Sequence, residues 1–156
     1  MRELYDIAEN IRKCTNCSRC RDRMLAIPGE GDGKIMIVGF SPGPEEDRLG
    51  MPFVNSKLNE LLESISLTRK DCFLTYCLKC YSEKKEFTLE CKKWLDQQIS
   101  VIQPKLIVVL GEGVLKFLFN KYEFEKVCGS MIEKKYFIVS GLDSEEIIKE
   151  IKKIKI

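Results

Sequence analysis

Four cysteines are the residues of this chain with the clearest capacity for chemistry. Cys14 and Cys17 form a Cys-x2-Cys pair near the N-terminus, and Cys80 and Cys91 follow, eleven positions apart. A Cys-x2-Cys turn presents two sulfurs to one centre, and a distant pair can supply the other two ligands. Because the 156 residues include no histidine, such a site is all thiolate. That donor set suits zinc or an iron–sulfur cluster and argues against copper, nickel or a non-haem iron triad.

Length and composition indicate one soluble globular domain, expected to span residues 1–156 with the Cys-x2-Cys segment at its N-terminus. The 26 basic and 24 acidic residues give a net charge of +2, which by itself does not indicate a nucleic-acid partner. The sequence has neither a membrane-length apolar run nor a signal peptide. Eight cysteines without marks of secretion therefore predict a reduced, cytoplasmic metal protein, which we expect to be a monomer without a membrane partner.

Apolar patterning predicts helices that alternate with short strands. The predicted strands cover residues 34–39, 72–78, 105–110 and 135–140, and the predicted helices cover 2–13, 57–66, 88–102 and 111–119, with a last helix after Ser144. Thr88 is expected to cap the helix that it begins. Strands separated by helices predict an α/β protein, a three-layer αβα fold with a mostly parallel four-stranded sheet. The loops after Gly39, Leu78 and Leu110 then share the edge at which such sheets bind ligands.

The loop after the first predicted strand carries the most specific motif. Residues 39–47 read GFSPGPEED, and residues 50–54 read GMPFV. Together they resemble the first motif of the family 4 uracil-DNA glycosylases, iron–sulfur base-excision enzymes with the pattern Gly-Glu-Ala-Pro-Gly-x-x-Glu-Asp followed by Gly-x-Pro-Phe-Val-Gly. Residues 28–31 (PGEG), 74–80 (LTYCLKC) and 104–111 (PKLIVVLG) are similar to further segments of that family, in the same order.

The resemblance implies a uracil-DNA glycosylase-like fold, DNA as a partner and DNA repair by hydrolysis of an N-glycosidic bond. It also implies a four-iron, four-sulfur (4Fe-4S) cluster held by Cys14, Cys17, Cys80 and Cys91. The cluster is expected to be structural and to tie the N-terminal segment to the sheet.

The spacing of the cysteines also leaves a zinc site open. Cys77 and Cys80 form a second Cys-x2-Cys unit, and two such units are a strong zinc signal. Cys77 lies in a predicted strand, where cysteine is more often a small buried hydrophobe, so Cys91 is preferred as the fourth ligand. The other cysteines, Cys20, Cys72 and Cys128, are expected to be structural and buried.

Base excision requires a stacked, flipped-out base, a reader of its edge, a donor for the departing anion and a placed water. By resemblance, the base pocket comprises Gly39, Phe40, Ser41, Pro42, Gly43, Phe53 and Tyr76. Phe53 is retained where the family stacks an aromatic ring on uracil. Phe40 replaces the water-positioning Glu, and Tyr76 replaces the Asn that reads the uracil edge, so its larger ring can plug the pocket. The His-Pro motif that follows the family's last strand is missing, which also removes the commonest acid–base residue.

Charged residues near the motif have expected roles of two kinds. Asp47 matches a family position and is the candidate catalytic carboxylate, with a structural or water-holding role. Glu45 and Glu46 are expected to be solvated or to cap the turn that follows. The candidate phosphate contacts are Lys79, Arg48, Lys84, Lys85, Lys92 and Lys93.

Three functional hypotheses follow. The preferred one is a uracil-DNA glycosylase-like iron–sulfur protein that binds DNA or a nucleobase and whose base-excision activity is altered or lost. The second is a non-catalytic member of the superfamily that binds nucleic acid or protein. The third is an all-thiolate zinc or redox module unrelated to base excision.

Overall fold

The computed structural model describes residues 1–84 and 88–154, in which helices alternate with the strands of a single sheet. The α-helices are α1 (Arg2–Arg12), α2 (Pro44–Leu49), α3 (Leu58–Ser64), α4 (Lys92–Ile102), α5 (Glu112–Leu118), α6 (Phe124–Val127) and α7 (Glu145–Lys152). The strands are β1 (Glu30–Gly31), β2 (Ile35–Gly39), β3 (Cys72–Tyr76), β4 (Leu106–Leu110), β5 (Met131–Ile132) and β6 (Tyr136–Val139).

The strand order across the sheet is β1-β3-β2-β4-β6-β5. The four inner strands are parallel to their neighbours, whereas β1 and β5 add short antiparallel edges. The four predicted strands are therefore confirmed as the centre of the sheet. Patterning does not predict the two edge strands because two residues are too few to show an alternation.

Helices cover both faces of the sheet, because alternate residues of each strand point to opposite sides. Met36 and Val38 pack in one core with side chains of α1, α4 and α5. Ile35 and Ile37 pack in the other core with side chains of α3 and α7. All four strand residues are fully buried, as a parallel sheet covered on both faces requires. The predicted three-layer αβα fold is confirmed.

The carboxyl ends of the inner strands lie at one edge of the sheet. Gly39 at the end of β2 is in register with Tyr76 at the end of β3, and Leu110 of β4 is in register with Val139 of β6. The loops that follow these residues therefore converge on the edge at which open α/β sheets bind ligands.

Two local predictions differ from the structure. The helix α4 begins at Lys92 with Cys91 as its N-cap, whereas Thr88 lies in the preceding turn and accepts a hydrogen bond from the Glu90 amide. The predicted loop 40–55 contains the helix α2, which begins with a proline after Gly43. Proline suits the first helical position because its missing N–H would have no helical partner there.

Within residues 1–84 and 88–154, no helix combines the length and the apolar character needed to cross a membrane.

Candidate functional site

The end of β2 is built so that an aromatic ring can lie against its backbone. A Cβ atom added at Gly39 would lie 2.9 Å from Cδ1 and Cε1 of Tyr76 and 3.2 Å from Cζ of Phe53. Contacts below 3.0 Å require something to move, so glycine at this position permits the close approach of the Tyr76 ring.

Tyr76 and Phe53 form a stacked pair at this edge of the sheet. Their ring centroids are 4.7 Å apart with an interplanar angle of 28°. The Tyr76 hydroxyl accepts a hydrogen bond of 2.8 Å from the Phe53 backbone amide, and only 4% of Tyr76 and 9% of Phe53 is exposed. Burial raises the pKa of the Tyr76 phenol well above its usual value, so the ring stays neutral. Both the ring and the hydroxyl of Tyr76 therefore have partners within the protein.

The Phe53 loop has an unusual backbone that side chains from elsewhere hold in place. Phe53 has a φ of +53°, in the left-handed region that bulky residues rarely adopt. The Arg69 guanidinium donates to the carbonyl of Pro52 at 2.5 Å and forms a two-pronged pair with Glu30, with distances of 2.9 and 2.8 Å. Ser56 donates to the Phe53 carbonyl at 3.0 Å. Residues in strained conformations of this kind concentrate at functional sites.

Phe40 lies where the resemblance places a carboxylate. Its side chain is half-buried and packs against the apolar core beneath α5. A Cβ atom at Gly113, in the first turn of α5, would lie 3.2 Å from Cδ2 of Phe40. The ring therefore adds packing at this position and supplies no acid or base.

The rest of the predicted pocket loop is bonded within itself. Pro42 is buried, and Ser41 and Gly43 are half-buried. The Gly43 amide donates to the carboxylate of Glu46 at 3.1 Å, which is the capping role expected for this glutamate. Glu45 is exposed and pairs with Arg48 at 2.7 Å, and this arginine lowers the pKa of the Glu45 carboxyl.

Asp47 connects the pocket loop to the N-terminal segment. Its side chain is 4% exposed and accepts hydrogen bonds from the Met24 amide at 2.8 and 3.0 Å and from the Leu25 amide at 3.1 Å. Hydrogen bonds from backbone N–H groups to a carboxylate are short and strong, so they fix the position of the side chain. This geometry matches a structural role for Asp47.

The predicted ligand cysteines lie on one side of the sheet and differ in burial. Cys14 and Cys17 are half-buried, and Cys80 and Cys91 are buried. Burial raises the pKa of the Cys91 thiol, a bond from the Lys79 amide lowers it, and the Cys17 and Cys14 thiols raise it further. Cys80 and Cys91 belong to one buried core, and Cys14 packs against that core.

Two arginines that the sequence patterns do not predict contact Cys80. Burial raises the pKa of this thiol, and the Arg23 guanidinium, which donates to its Sγ at 3.0 Å, lowers it. Arg19 is buried and donates to the Cys80 carbonyl at 2.9 and 3.2 Å and to the Lys84 carbonyl at 3.1 Å. The only sequence signal for these contacts is the presence of basic residues within the cysteine-rich segment itself.

The donor set fits either zinc or an iron–sulfur cluster, because cysteine thiolates are ligands of both. In the part of the chain that the structure describes, no three His, Cys, Asp or Glu side chains are arranged to hold one metal ion.

A buried indole also bears on this fit. Trp94, three residues after Cys91, has a buried indole N–H without a partner among residues 1–84 and 88–154. A buried donor that lacks a partner costs about 1–3 kcal/mol, which a sulfur-rich group at this position can offset.

The remaining cysteines have different environments. Burial raises the pKa of Cys72 and of Cys77 to about 12, so both thiols behave as neutral core residues. Cys20 is half-buried. Cys128 is exposed, and its predicted burial is wrong because it follows the short helix α6 at the surface.

The predicted phosphate contacts differ in their exposure to solvent. Lys79 is buried, and its ammonium donates to Thr75 Oγ1 at 2.6 Å, Tyr76 O at 2.7 Å and Gln98 Oε1 at 2.8 Å, so its predicted role as a phosphate contact is wrong. Burial lowers the pKa of Lys79 to about 7. Arg48, Lys84 and Lys93 are exposed and Lys92 is half-buried, whereas Lys85 lies outside the described residues.

Comparison with known proteins agrees with this geometry. The family model described as the uracil DNA glycosylase superfamily matches residues 28–147. The type-4 uracil-DNA glycosylase of Archaeoglobus fulgidus is 34% identical over 89% of this chain and 75% of its own length. The type-4 enzymes of Saccharolobus solfataricus and Sulfurisphaera tokodaii are 34% and 38% identical, over 84% and 78% of this chain and 66% and 60% of their own lengths.

The chain belongs to the uracil-DNA glycosylase superfamily. The resemblance predicted from its motifs is therefore confirmed, and the chain is a uracil-DNA glycosylase-like protein.

Proposed function

We propose that this protein binds DNA through the carboxyl edge of its sheet, that it carries a four-iron, four-sulfur cluster, and that Tyr76 closes its base site. Uracil excision is then lost, or is far slower than in an enzyme with an open pocket. The observation that carries this proposal is the stack of Tyr76 on Phe53, at 4.7 Å between ring centroids.

The Tyr76 ring acts as a substitute for the base. Phe53 is the residue that, by resemblance, stacks on a flipped-out uracil, and here it stacks on Tyr76. The hydroxyl of Tyr76 also engages the Phe53 amide. A base that entered this site would have to displace a buried ring and break this hydrogen bond, at a cost that adds to the cost of unstacking the base from DNA.

The groups that would catalyse excision are replaced. Phe40 packs beneath α5 and offers no carboxylate, and the chain contains no histidine to stabilise the departing base. Removal of one donor to a developing anion typically lowers a rate by about 10²–10³-fold. Asp47 does not supply a substitute, because both of its oxygens accept backbone hydrogen bonds.

Cys14, Cys17, Cys80 and Cys91 are the proposed ligands of the cluster. Cys80 and Cys91 share one buried core against which Cys14 packs, and the Arg23 contact to the Cys80 Sγ would stabilise a thiolate there, which supports this ligand set. The bound cluster would cross-link the N-terminal segment to α4 and to the loop after β3. Visible charge-transfer absorbance, with iron and acid-labile sulfide in equal amounts, tests this part, and stoichiometric zinc would contradict it.

The central experiment compares binding and excision in three proteins: the wild type, Tyr76→Asn and the control Tyr5→Asn, which changes a tyrosine that is 63% exposed. Each is titrated with duplexes that contain uracil or thymine at one position and is then tested for excision with enzyme in excess. We expect the wild type and Tyr5→Asn to bind both duplexes equally and to cut neither. Tyr76→Asn is expected to bind the uracil duplex more tightly.

A salt series tests the DNA partner. Affinity should fall steeply as salt rises, because phosphate contacts release counterions. A flat response would exclude DNA as the partner, and excision of uracil by the wild type at the rate of Tyr76→Asn would show that Tyr76 does not close the site.

Slow excision of uracil or of another damaged base is a second candidate function. Identities of 34–38% to proteins named type-4 uracil-DNA glycosylase favour it, as does the left-handed backbone at Phe53, because strain of this kind concentrates at functional sites. Excision of uracil or hypoxanthine by the wild type, abolished by Phe53→Ala, would favour this function over the first.

A further inference from the structure

The indole N–H of Trp94 stands apart from the other buried polar groups. Among residues 1–84 and 88–154 it is the only buried side-chain nitrogen or oxygen that has no hydrogen-bond partner. Only 9% of Trp94 is exposed, so water cannot readily serve as its acceptor. Tryptophan is a donor only, so this group requires an acceptor from outside the described protein atoms.

Trp94 lies about one helical turn after Cys91, a proposed cluster ligand. Cys91 is the N-cap of α4 with helical backbone angles, and the Trp94 amide bonds to its carbonyl at 3.0 Å. Residues three apart on a helix lie on the same face. Trp94, Cys91 and Cys80 also belong to one buried core, and Cys14 packs against it.

The solvent side of the indole already has a partner. The Lys93 ammonium lies 4.5 Å from the centroid of the Trp94 ring, in a cation–π contact. Lys93 is exposed, so this contact covers the ring from the surface and leaves the N–H unsatisfied.

Two neighbouring sulfurs already accept hydrogen bonds from the protein. The Arg23 Nη1 donates to the Cys80 Sγ at 3.0 Å, and the Lys79 amide bonds to the Cys91 thiol. Thiolates and inorganic sulfides are better acceptors than thiols, because they carry negative charge. The Trp94 N–H is a third donor, in the same buried core as Cys80 and Cys91, and it has no acceptor among the described residues.

We propose that the Trp94 indole N–H donates a hydrogen bond to a sulfur of the bound iron–sulfur cluster. This inference rests on the proposed cluster but not on DNA binding or excision. Trp94 is then a positioning residue that sets the reduction potential, because donors to cluster sulfurs favour the reduced, more negative state. Loss of the donor moves the potential to a more negative value.

The experiment uses the fact that Trp94 is the only tryptophan of the chain. Growth on the tryptophan analogue in which sulfur replaces the indole N–H changes this single group and keeps the shape of the ring. We expect the holoprotein to retain its iron and sulfide and to have a more negative reduction potential, with the same direction of change in Trp94→Phe. Lys93→Gln is the matched control, and it should leave the N–H and its magnetic coupling to the cluster unchanged.

A second readout is direct. In protein labelled with ¹⁵N at the indole, the paramagnetic form of the cluster should show a hyperfine coupling to ¹⁵N and to an exchangeable proton. No coupling, together with an unchanged potential in the analogue protein, would overturn the inference while the cluster itself stands. A protein without iron would refute both the cluster and this role of Trp94.

Discussion

Two regions of the molecule differ in whether their buried polar groups have partners. The thiol region contains Cys80 and Cys91, and the base-site loop contains residues 39–47 and Phe53, with Tyr76 packed against it. Tyr76 ends β3, and Cys80 follows four residues later. Around Cys80 and Cys91 lie free thiols and an indole donor without a partner among the described residues. Around Tyr76, the hydroxyl, the Asp47 carboxylate and the Gly43 amide all have internal partners.

This difference separates a region with an unsatisfied buried donor from a region whose polar groups satisfy one another. Unsatisfied buried groups are costly, so a protein retains them where a ligand completes them. The base-site loop has no unsatisfied group of this kind, because Tyr76 supplies both the stacked ring and the hydrogen bond that a bound base would provide. If the proposals above hold, the chain keeps the cofactor of its relatives and loses their activity.

Of the substitutions that test this difference, removal of a proposed ligand thiol is expected to have the largest effect. Cys80→Ser and Cys91→Ser should each lose most of the bound iron, because a cluster of this type needs four thiolates. Cys77→Ser and the surface change Cys128→Ser should retain it. Iron and sulfide per chain measure the outcome, and iron loss in Cys77→Ser with retention in Cys91→Ser would reverse the ligand assignment.

Asp47→Ala tests the link between the two regions. The change leaves the Met24 and Leu25 amides without their acceptor, and charged hydrogen bonds of this kind contribute about 1.5–3 kcal/mol each. We expect a fall of about 3 kcal/mol in the free energy of unfolding, measured with urea on the holoprotein.

Glu45→Ala is the control for Asp47→Ala, because its carboxylate pairs with Arg48 at the surface. It should leave the unfolding midpoint unchanged. An equal effect of the two substitutions would remove the structural role assigned to Asp47.

Gly39→Ala tests how tightly the Tyr76 ring fills the site. The added methyl group would lie 2.9 Å from two ring carbons, and such overpacking costs about 1–3 kcal/mol. The cost should be smaller when Tyr76 is already Asn, so a double-mutant cycle of unfolding free energies should give a coupling of about 1 kcal/mol or more. Additive effects would mean that the ring does not occupy this space in solution.

Tyr76→Phe should have the smallest of these effects. The ring is retained, but the Phe53 amide loses its acceptor, at a cost of about 1 kcal/mol in the free energy of unfolding. Iron content and visible absorbance should not change. Excision of uracil by this variant at the level of Tyr76→Asn would show that the hydrogen bond, and not the ring, closes the site.

Much of the fold could be predicted from local patterns. Strand β2 is a short apolar run that ends at Gly39, and such runs indicate buried parallel strands irrespective of the rest of the chain. Helices α1 and α7 follow the period of 3.6 residues with buried Ile7, Ile11, Ile147 and Ile151. The cap predicted at Thr88 was wrong, because Cys91 with its turn geometry begins the helix instead.

The residue types of the candidate site could be predicted from the sequence, but the contacts and burial of those residues could not. The GFSPGPEED segment and the cysteine spacing identified the family and the residues that matter. Whether Tyr76 fills the pocket or leaves it open depends on the distance between β2, β3 and the Phe53 loop, which no local pattern encodes. Lys79 shows the same limit, since an ammonium expected at the surface lies buried among three oxygen acceptors.

The sequence by itself determined an αβα sheet protein of the uracil-DNA glycosylase superfamily and offered only thiolates, without imidazole, as candidate ligands. It could do so because strand and helix periods, motif order and the lack of histidine are properties of neighbouring residues or of composition. Only the tertiary structure decided that Tyr76 stacks on Phe53, that Asp47 anchors the N-terminal segment and that the Trp94 N–H has no partner within residues 1–84 and 88–154. These are contacts between distant segments, and their formation depends on the packing of the whole chain.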